Sequence, residues 1–409
     1  MTQHAQTGDT VLARCVACST QTFADEHWGR APLLSRATQL GSDFTDLLSI
    51  AAIDSLVSER GLRTPFIRMA KDGAVQPAGS FTRGGGAGAA VADQAADDKI
   101  LTAIADGSTL VLQGLHRTWP PLVDFGARLA DELGHPVQIN AYITPPQSQG
   151  FAPHHDVHDV FVLQVSGRKH WTVHRPVVDD PLDNQPFGHF EAEIAERVAE
   201  APLIDTVLEP GDALYLPRGT VHSAEAMGDT SIHLTVGVHP LTRYQLVRFL
   251  LDAVQDDAEL RASLPMGADL GDPDVLAPHL AATVAALQGA LERVPAAQIA
   301  ERLGTNLMQR TRPEPIGPLA QLAAADALAS DTPLRLRGAL RLRVVPGDDG
   351  RVKLQLLDRT IDLPAGASDA VTRVVGGSAF TPAELPGLEP EAQLTLTRRL
   401  LREGVLVPA

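Results

Sequence analysis

The stretch from Val137 to Val238 constrains the fold more than any other part of the chain. Short runs rich in Val, Ile, Leu and Tyr follow one another there: VQINAYIT, DVFVLQVSG, KHWTVHR, ALYLP and SIHLTVGV. Pro, Gly and Asp turns separate them. Each run is too short for a stable helix, and several such runs at close spacing fold as a small antiparallel barrel or jelly roll. Upstream of this block the pattern is mixed. Residues 1–60 read as helical, with Leu47, Ile50, Ile53, Leu56 and Val57 at helical spacing after Asp43, the expected N-cap. The run from Val11 to Phe23 reads as a further helix. Residues 64–70 and 109–114 read as strands, and 94–106 and 119–133 as helices.

After His239-Pro240 the periodicity turns helical again. Leu246, Val247, Leu250, Leu251 and Val254 mark one amphipathic helix, and Val284, Leu287, Leu291 and Val294 another. These helices are too few for a large core of their own, and a second copy of the chain would bury their apolar faces. From Thr332 onward Leu334, Leu336, Leu340 and Leu342 alternate with Arg335, Arg337, Arg341 and Arg343, the pattern of a half-buried hairpin or bent strand with a basic face. The tail has the helix–turn–helix–strand order of a winged helix: VTRVVG, TPAEL, EAQLTLTRRLLREG, then VLVPA. A length of 409 residues fits this division into 1–239 (barrel and N-terminal helices), 240–325 (helical dimerisation segment) and 326–409 (winged helix).

Charge and cysteine usage narrow the partners. A formal charge of −16 disfavours nucleic acid and anionic membranes and suits a basic partner. Glu384, Glu389 and Glu391 in the tail point the same way, so the expected tail is a packing module that binds no nucleic acid. The Cys15-x-x-Cys18 pair has too few companions for zinc and lacks a thioredoxin-like context, so both thiols read as structural in a reducing compartment. Residues 2–10 are polar without a signal-peptide core, and no run approaches the roughly 18 apolar residues of a membrane span. The expectation is a cytoplasmic protein with no membrane contact. Gly84 to Gly88 is followed by no Gly-Lys-Ser/Thr, so it reads as a flexible loop and not a phosphate cradle.

The chemistry-bearing motif is His154-His155-Asp156. In extended backbone, residues i and i+2 point to one face, so His154 and Asp156 converge while His155 turns away. The best third ligand is His222, at the end of the Pro/Gly turn Leu216-Pro217-Arg218-Gly219-Thr220. Two imidazoles and a carboxylate form the facial triad of non-haem iron(II), which leaves open positions for a bidentate cosubstrate and O2. Among the other histidines, His170 and His174 lie on the next strand, with His174 expected exposed, and His233 fits a packed core position. Lys169, Trp171 and Val173 share a face assigned to the barrel interior, where a lysine is costly without an anion. Asn140 and Tyr142 share a face on their strand, and Thr235 lies on the last one.

The run NAYITPPQSQGFAPHHDVHDVFVLQVSGRKHW, together with LEPGDALYLPRGTVHSAE and SIHLTV, resembles the JmjC ribosomal-oxygenase family. The resemblance implies a mixed α and β fold built on a double-stranded β-helix (cupin or jelly-roll) JmjC barrel, with N-terminal helices, a dimerisation segment and a winged helix. It implies iron(II) held by His154, Asp156 and His222, with 2-oxoglutarate and O2 as cosubstrates. Lys169 matches the family lysine for the far carboxylate of 2-oxoglutarate. Asn140 and Thr235 match residues of the same pocket, Tyr142 is expected to reach the cosubstrate from the face it shares with Asn140, and Tyr142, His158, Arg168 and Ser223 are expected to line the substrate opening. The implied reaction is hydroxylation of a side chain in a basic ribosomal protein by a homodimer. His155 stands where many relatives carry Tyr, which leaves iron binding intact. The rival readings are an oxygenase acting on a peptide natural-product precursor or small metabolite, a non-catalytic metal-binding cupin, and a zinc cupin or metal-dependent isomerase.

Overall fold

The computed structural model describes residues 10–41, 43–71, 73–146, 148 and 152–409. The polar segment 2–9 and Phe151 of the His-x-Asp run lie outside them. The chain divides into two compact units, Met1–Pro240 and Leu241–Ala409.

The first unit is built on a sheet of nine strands among the described residues: β1 (Leu33–Ser35), β2 (Ile67–Lys71), β3 (Ala74–Val75), β4 (Thr109–Leu112), β5 (Val137–Thr144), β6 (Asp159–His174), β7 (Ile204–Leu208), β8 (Ala213–Leu216) and β9 (Val221–Val238). Their order is β1-β8-β6-β9-β5-β4-β2-β3, with β7 paired to β6, and every pairing is antiparallel. Helices α1 (Ile50–Ser58), α2 (Asp97–Ala105) and α3 (Pro120–Leu133) belong to the same unit. The alternation in β5 shows how the sheet divides its two faces. Val137, Ile139, Ala141 and Ile143 go to the core, while Gln138, Asn140 and Tyr142 are half-buried on the other side. The core holds an aromatic group in which Tyr215 meets Phe23 and Phe161 at ring-centroid distances of 4.9 and 5.0 Å.

Two strands are long and bent. DVFVLQVSG and KHWTVHR, expected as separate strands, form the single 16-residue β6, and SIHLTVGV is the end of the 18-residue β9. The register between β6 and β9 skips Val165, and Gly167, two residues further on, has φ +62°. A Cβ on Gly167 would lie 2.2 Å from the Thr230 carbonyl oxygen, so only glycine fits. The bulge reverses the side-chain parity. Val160 and Val162 face one cavity before the bend, and Lys169 and Trp171 face the same cavity after it.

Local expectations at the N-terminus need correction. Val11 to Phe23 is not one helix. Leu12–Arg14 and Thr20–Thr22 are single turns, followed by a wide turn over Phe23–His27. The Glu132 carboxylate accepts from the amides of Val11 and Leu12 at 2.7 and 2.8 Å, tying this segment to α3. Asp43 does not cap α1. It accepts from Thr45, and Ser49, next to the first apolar residue of the helix, accepts from the Ala52 amide at 3.2 Å.

The second unit carries α4 (Arg243–Ala253), α5 (Pro273–Glu292), α6 (Ala296–Arg310), α7 (Pro318–Asp326), α8 (Ser368–Val375) and α9 (Pro390–Arg402). Its strands are β10 (Leu334–Leu336), β11 (Arg343–Pro346), β12 (Val352–Gln355), β13 (Thr360–Leu363) and β14 (Leu406–Pro408). The Leu/Arg alternation from 334 to 343 is not a hairpin: β10 pairs with β14, and β11 with β12. Ala339, with φ +52°, marks the turn between the two halves. Two arginines of the basic face find carboxylates within the unit, Arg335 on Glu314 and Arg343 on Glu301, both at 2.7 Å. Among the described residues no helix is long and apolar enough to cross a membrane.

Candidate metal centre

His154 and His222 face each other across a two-way backbone bridge. The His154 amide donates to the His222 carbonyl at 3.1 Å, and the His222 amide to the His154 carbonyl at 2.9 Å. This antiparallel pair puts the two rings on one side, with centroids 4.5 Å apart. Asp156 follows two residues later, and its carbonyl accepts from the Gly219 amide at 2.9 Å. Nitrogen and oxygen atoms from His154, Asp156 and His222 all lie within 4.8 Å of one another. The span from His222 Nε2 to Asp156 Oδ2 is 3.8 Å.

The ring nitrogens are already sorted. His154 Nδ1 lies 2.7 Å from the Ala152 carbonyl oxygen, and His222 Nδ1 lies 3.0 Å from that of Thr220. A carbonyl only accepts, so each Nδ1 carries the proton and each Nε2 keeps a lone pair turned toward Asp156. Burial, and then His154, hold the His222 imidazole below its ordinary pKa. Burial pushes the Asp156 carboxyl up, but His158, His222 and His154 outweigh it and hold the group below the usual carboxylate range. A neutral imidazole beside an ionised carboxylate is the state that metal binding requires.

The three groups line a cavity of about 330 Å³. Asn140 and Tyr142 reach it from β5, Lys169 and Trp171 from β6, and His233 and Thr235 from β9. Asn140 and Thr235 are direct cross-strand partners, as are Tyr142 and His233, whose rings stack at 5.1 Å. Lys169 is 3% exposed, and its Nζ donates to Thr144 Oγ1 at 3.2 Å. Burial alone pushes its ammonium down to about 7. Burial, and next the charge of Lys169, keep His233 well below its ordinary pKa. His158 also lines the cavity. Gly237 makes room for it, because a Cβ there would come within 3.0 Å of the His158 ring.

Arg168 and Ser223 do not line this cavity, contrary to expectation. Each neighbours an inward residue, Lys169 and His222, so the pleat turns it to the opposite face, and Arg168 is exposed. His174, expected exposed, is 4% exposed. Arg68, Gln113, Gln138, Phe187 and His233 line the cavity without having been singled out for it. Gln138 shares the parity of Asn140 and was legible on that ground. Arg68 interrupts the apolar strand Ile67–Lys71, which is a weaker signal.

Fold and site together define a cupin-type barrel with a two-histidine, one-carboxylate centre. Residues 122–246 match the JmjC domain family. Ribosomal oxygenase 1 of Gallus gallus is 31% identical over 252 residues, covering 60% of this chain and 40% of that protein. The bifunctional lysine-specific demethylase and histidyl-hydroxylase NO66 of Drosophila persimilis is 27% identical over 272 residues, covering 64% of this chain and 37% of that one. The chain thus spans less than half the length of these relatives. The crystal structure of Escherichia coli ribosomal oxygenase YcfD superposes with a TM-score of 0.54 at 21% identity, covering 96% of this chain and 98% of that one. YcfD has also been solved in complex with cobalt and 2-oxoglutarate. Residues 122–246 thus carry a JmjC domain, and the chain is similar to ribosomal oxygenases in sequence and in fold.

Gly219 holds the turn that delivers His222, at φ +84° and with a Cβ position 2.5 Å from the Val178 carbonyl oxygen. Gly219→Ala is expected to cost about 1–3 kcal/mol of stability from backbone strain alone. It should also weaken divalent-metal affinity, measured by thermal denaturation and isothermal titration with manganese(II).

Proposed function

We propose that this protein is an iron(II)- and 2-oxoglutarate-dependent oxygenase that hydroxylates a side chain of a basic ribosomal protein. The observation that carries this reading is a buried lysine and a pre-sorted His–Asp–His triad in one cavity. His154 Nε2, Asp156 and His222 Nε2 would hold the ion, and the donor set suits iron(II) with open positions. Bound iron would supply O2 activation, coupled to conversion of 2-oxoglutarate to succinate and CO2 with one oxygen atom delivered into a substrate C–H bond. The chain's own contribution is placement. Lys169 offers a buried cation to the far carboxylate, and Thr144 holds its Nζ in place. Asn140, whose Oδ1 accepts from the Gly114 amide at 3.0 Å, presents its NH2 to the cosubstrate beside Thr235 and Tyr142. Trp171, packed on the His222 ring at 5.9 Å, keeps water from that ligand's flank. The negative charge of the chain favours approach of a basic protein.

Within the second unit we read 240–325 as a dimerisation segment and 326–409 as a winged-helix packing module. Tyr244, Leu246, Val247 and Leu251 on α4 and Leu280 and Val284 on α5 are exposed, and a second copy would cover them. The free thiols of Cys15 and Cys18 suit a cytoplasmic site of action.

Anaerobic protein loaded with iron(II) and 2-oxoglutarate is expected to release succinate when O2 is admitted. Changes around a metal ligand already cost about 10–100-fold, so His154→Ala should lower the rate by at least about a hundredfold. Equal rates in the two proteins would defeat the oxygenase reading. The Lys169 ammonium gains a carboxylate partner on binding, so its pKa rises and a proton is taken up. Affinity for 2-oxoglutarate should be flat below about 7 and fall above it. The loss should approach about tenfold per pH unit, and Lys169→Arg, cationic throughout, should remove the slope. Sedimentation equilibrium should give twice the 43.4 kDa chain mass, and Leu251→Glu half of that species.

A further inference from the structure

A second cavity, of about 670 Å³, lies on the reverse face of the same sheet. Ile143 and Ile232 line it, while their neighbours Tyr142 and His233 line the metal cavity, so the pleat separates the two. No lining residue is shared. Helices α1 and α2 each turn one apolar face into this groove. Ile50, Ile53 and Val57 stand at i, i+3 and i+7 on α1, and Ile100 and Ile104 at i and i+4 on α2. Ile53, Ile100, Leu110, Ile143 and Ile232 are buried and form the floor. Ile50 and Leu101, 59% and 69% exposed, form open apolar lips. Exposed apolar side chains gathered along a groove mark an interaction surface.

The charge on the rim selects what fills the groove. Asp54, Asp97 and Asp98 line it, and among its described lining residues there is no lysine or arginine. Arg83 pairs with Asp98, whereas Asp54 and Asp97 form no ion pair among the described residues. Lys99 turns its Nζ elsewhere, to the carbonyl oxygens of Gly79 and Thr82 at 3.0 and 2.8 Å. Asp97 in the first turn of α2 also suits the helix dipole, but Asp54 in the middle of α1 has no such role. The carboxylates disfavour an anionic lipid surface, and a second copy of this chain, with its charge of −16, is repelled. Each of the two helices has nine residues and so spans about 13 Å. That length accommodates a docked helix with apolar anchors at i, i+4 and i+7.

We infer that this groove is a docking site for a cationic amphipathic helix of a partner protein. Its apolar anchors enter between Ile50 and Leu101, and its Lys or Arg side chains meet Asp54 and Asp97. The inference stands on the first unit alone and does not depend on the oxygenase reading.

The test uses full-length protein and fluorescein-labelled helical peptides of about 14 residues, long enough for three turns. One carries Leu on a single face with Lys elsewhere, one has Gln in place of Lys, and one is the Lys/Leu peptide scrambled so that Leu is spread over all faces. Fluorescence anisotropy is expected to show the Lys/Leu peptide binding at least about tenfold tighter than either control. Ile50→Gln with Leu101→Gln should weaken it at least about tenfold through lost apolar contact. Asp54→Asn with Asp97→Asn should bring it down to the level of the Gln peptide. These are two of 50 acidic residues, so a diffuse attraction to the whole chain would hardly change. All four side chains are exposed, and unchanged thermal unfolding midpoints check that the variants stay folded. No binding, equal binding of the scrambled peptide, or affinities unmoved in both double variants overturns the inference. A Gln peptide as tight as the Lys one removes the cationic partner. A fall in the chain's own sedimentation mass in the Ile50→Gln, Leu101→Gln protein would put a second copy in the groove and equally overturn it.

Discussion

The two-way backbone bridge between His154 and His222 is the contact on which the rest of the site depends. These residues are 68 positions apart in the chain, and only the barrel brings them together. Once paired, their carbonyl-bonded Nδ1 atoms fix both tautomers, and the Gly219 amide holds the Asp156 segment against the same turn. The triad is thus prepared by backbone hydrogen bonds that do not require an ion. A ligand set organised in this way loses little conformational entropy on binding metal.

The second structural constraint is the bend in β6 and β9. Without the skipped residue at Val165, Lys169 and Trp171 would emerge on the opposite face from Val160 and Val162. Gly167 makes the bend possible, since any side chain there would strike the backbone at Thr230. The placement of a buried lysine in the same cavity as the triad therefore depends on one bulge and one glycine. The cost of burying Lys169 is visible in its depressed ammonium pKa, and an anionic ligand would recover it.

Much of the site was legible in the sequence because it follows period-two alternation. His154 with Asp156, Asn140 with Tyr142, and Lys169 with Trp171 are each an i, i+2 pair on extended backbone. The same rule, applied to Arg168 and Ser223, would have excluded them as neighbours of inward residues. Arg68 and Gln113 were not legible, because their strands lie beyond the recognisable barrel motifs and reach the cavity only through the pairing of β2, β4 and β5. In the second unit the Leu/Arg alternation fits a hairpin or a bent strand. The turn at Ala339 sends its two halves to different partners, and an alternating pattern alone does not specify a partner. The N-terminal residues failed as a helix because their amides find a distant carboxylate, Glu132, that no local pattern reveals.

The central claim is that one cavity holds both the metal ligands and the cosubstrate anchor. A crystal structure with manganese(II) and 2-oxoglutarate, grown without O2, tests it most directly. The expected density shows the ion bonded to His154 Nε2, Asp156 and His222 Nε2, chelated by the keto-acid end, with the far carboxylate on Lys169 Nζ. An ion bound elsewhere, or a far carboxylate placed on Arg68 with Lys169 left on Thr144 alone, would contradict it.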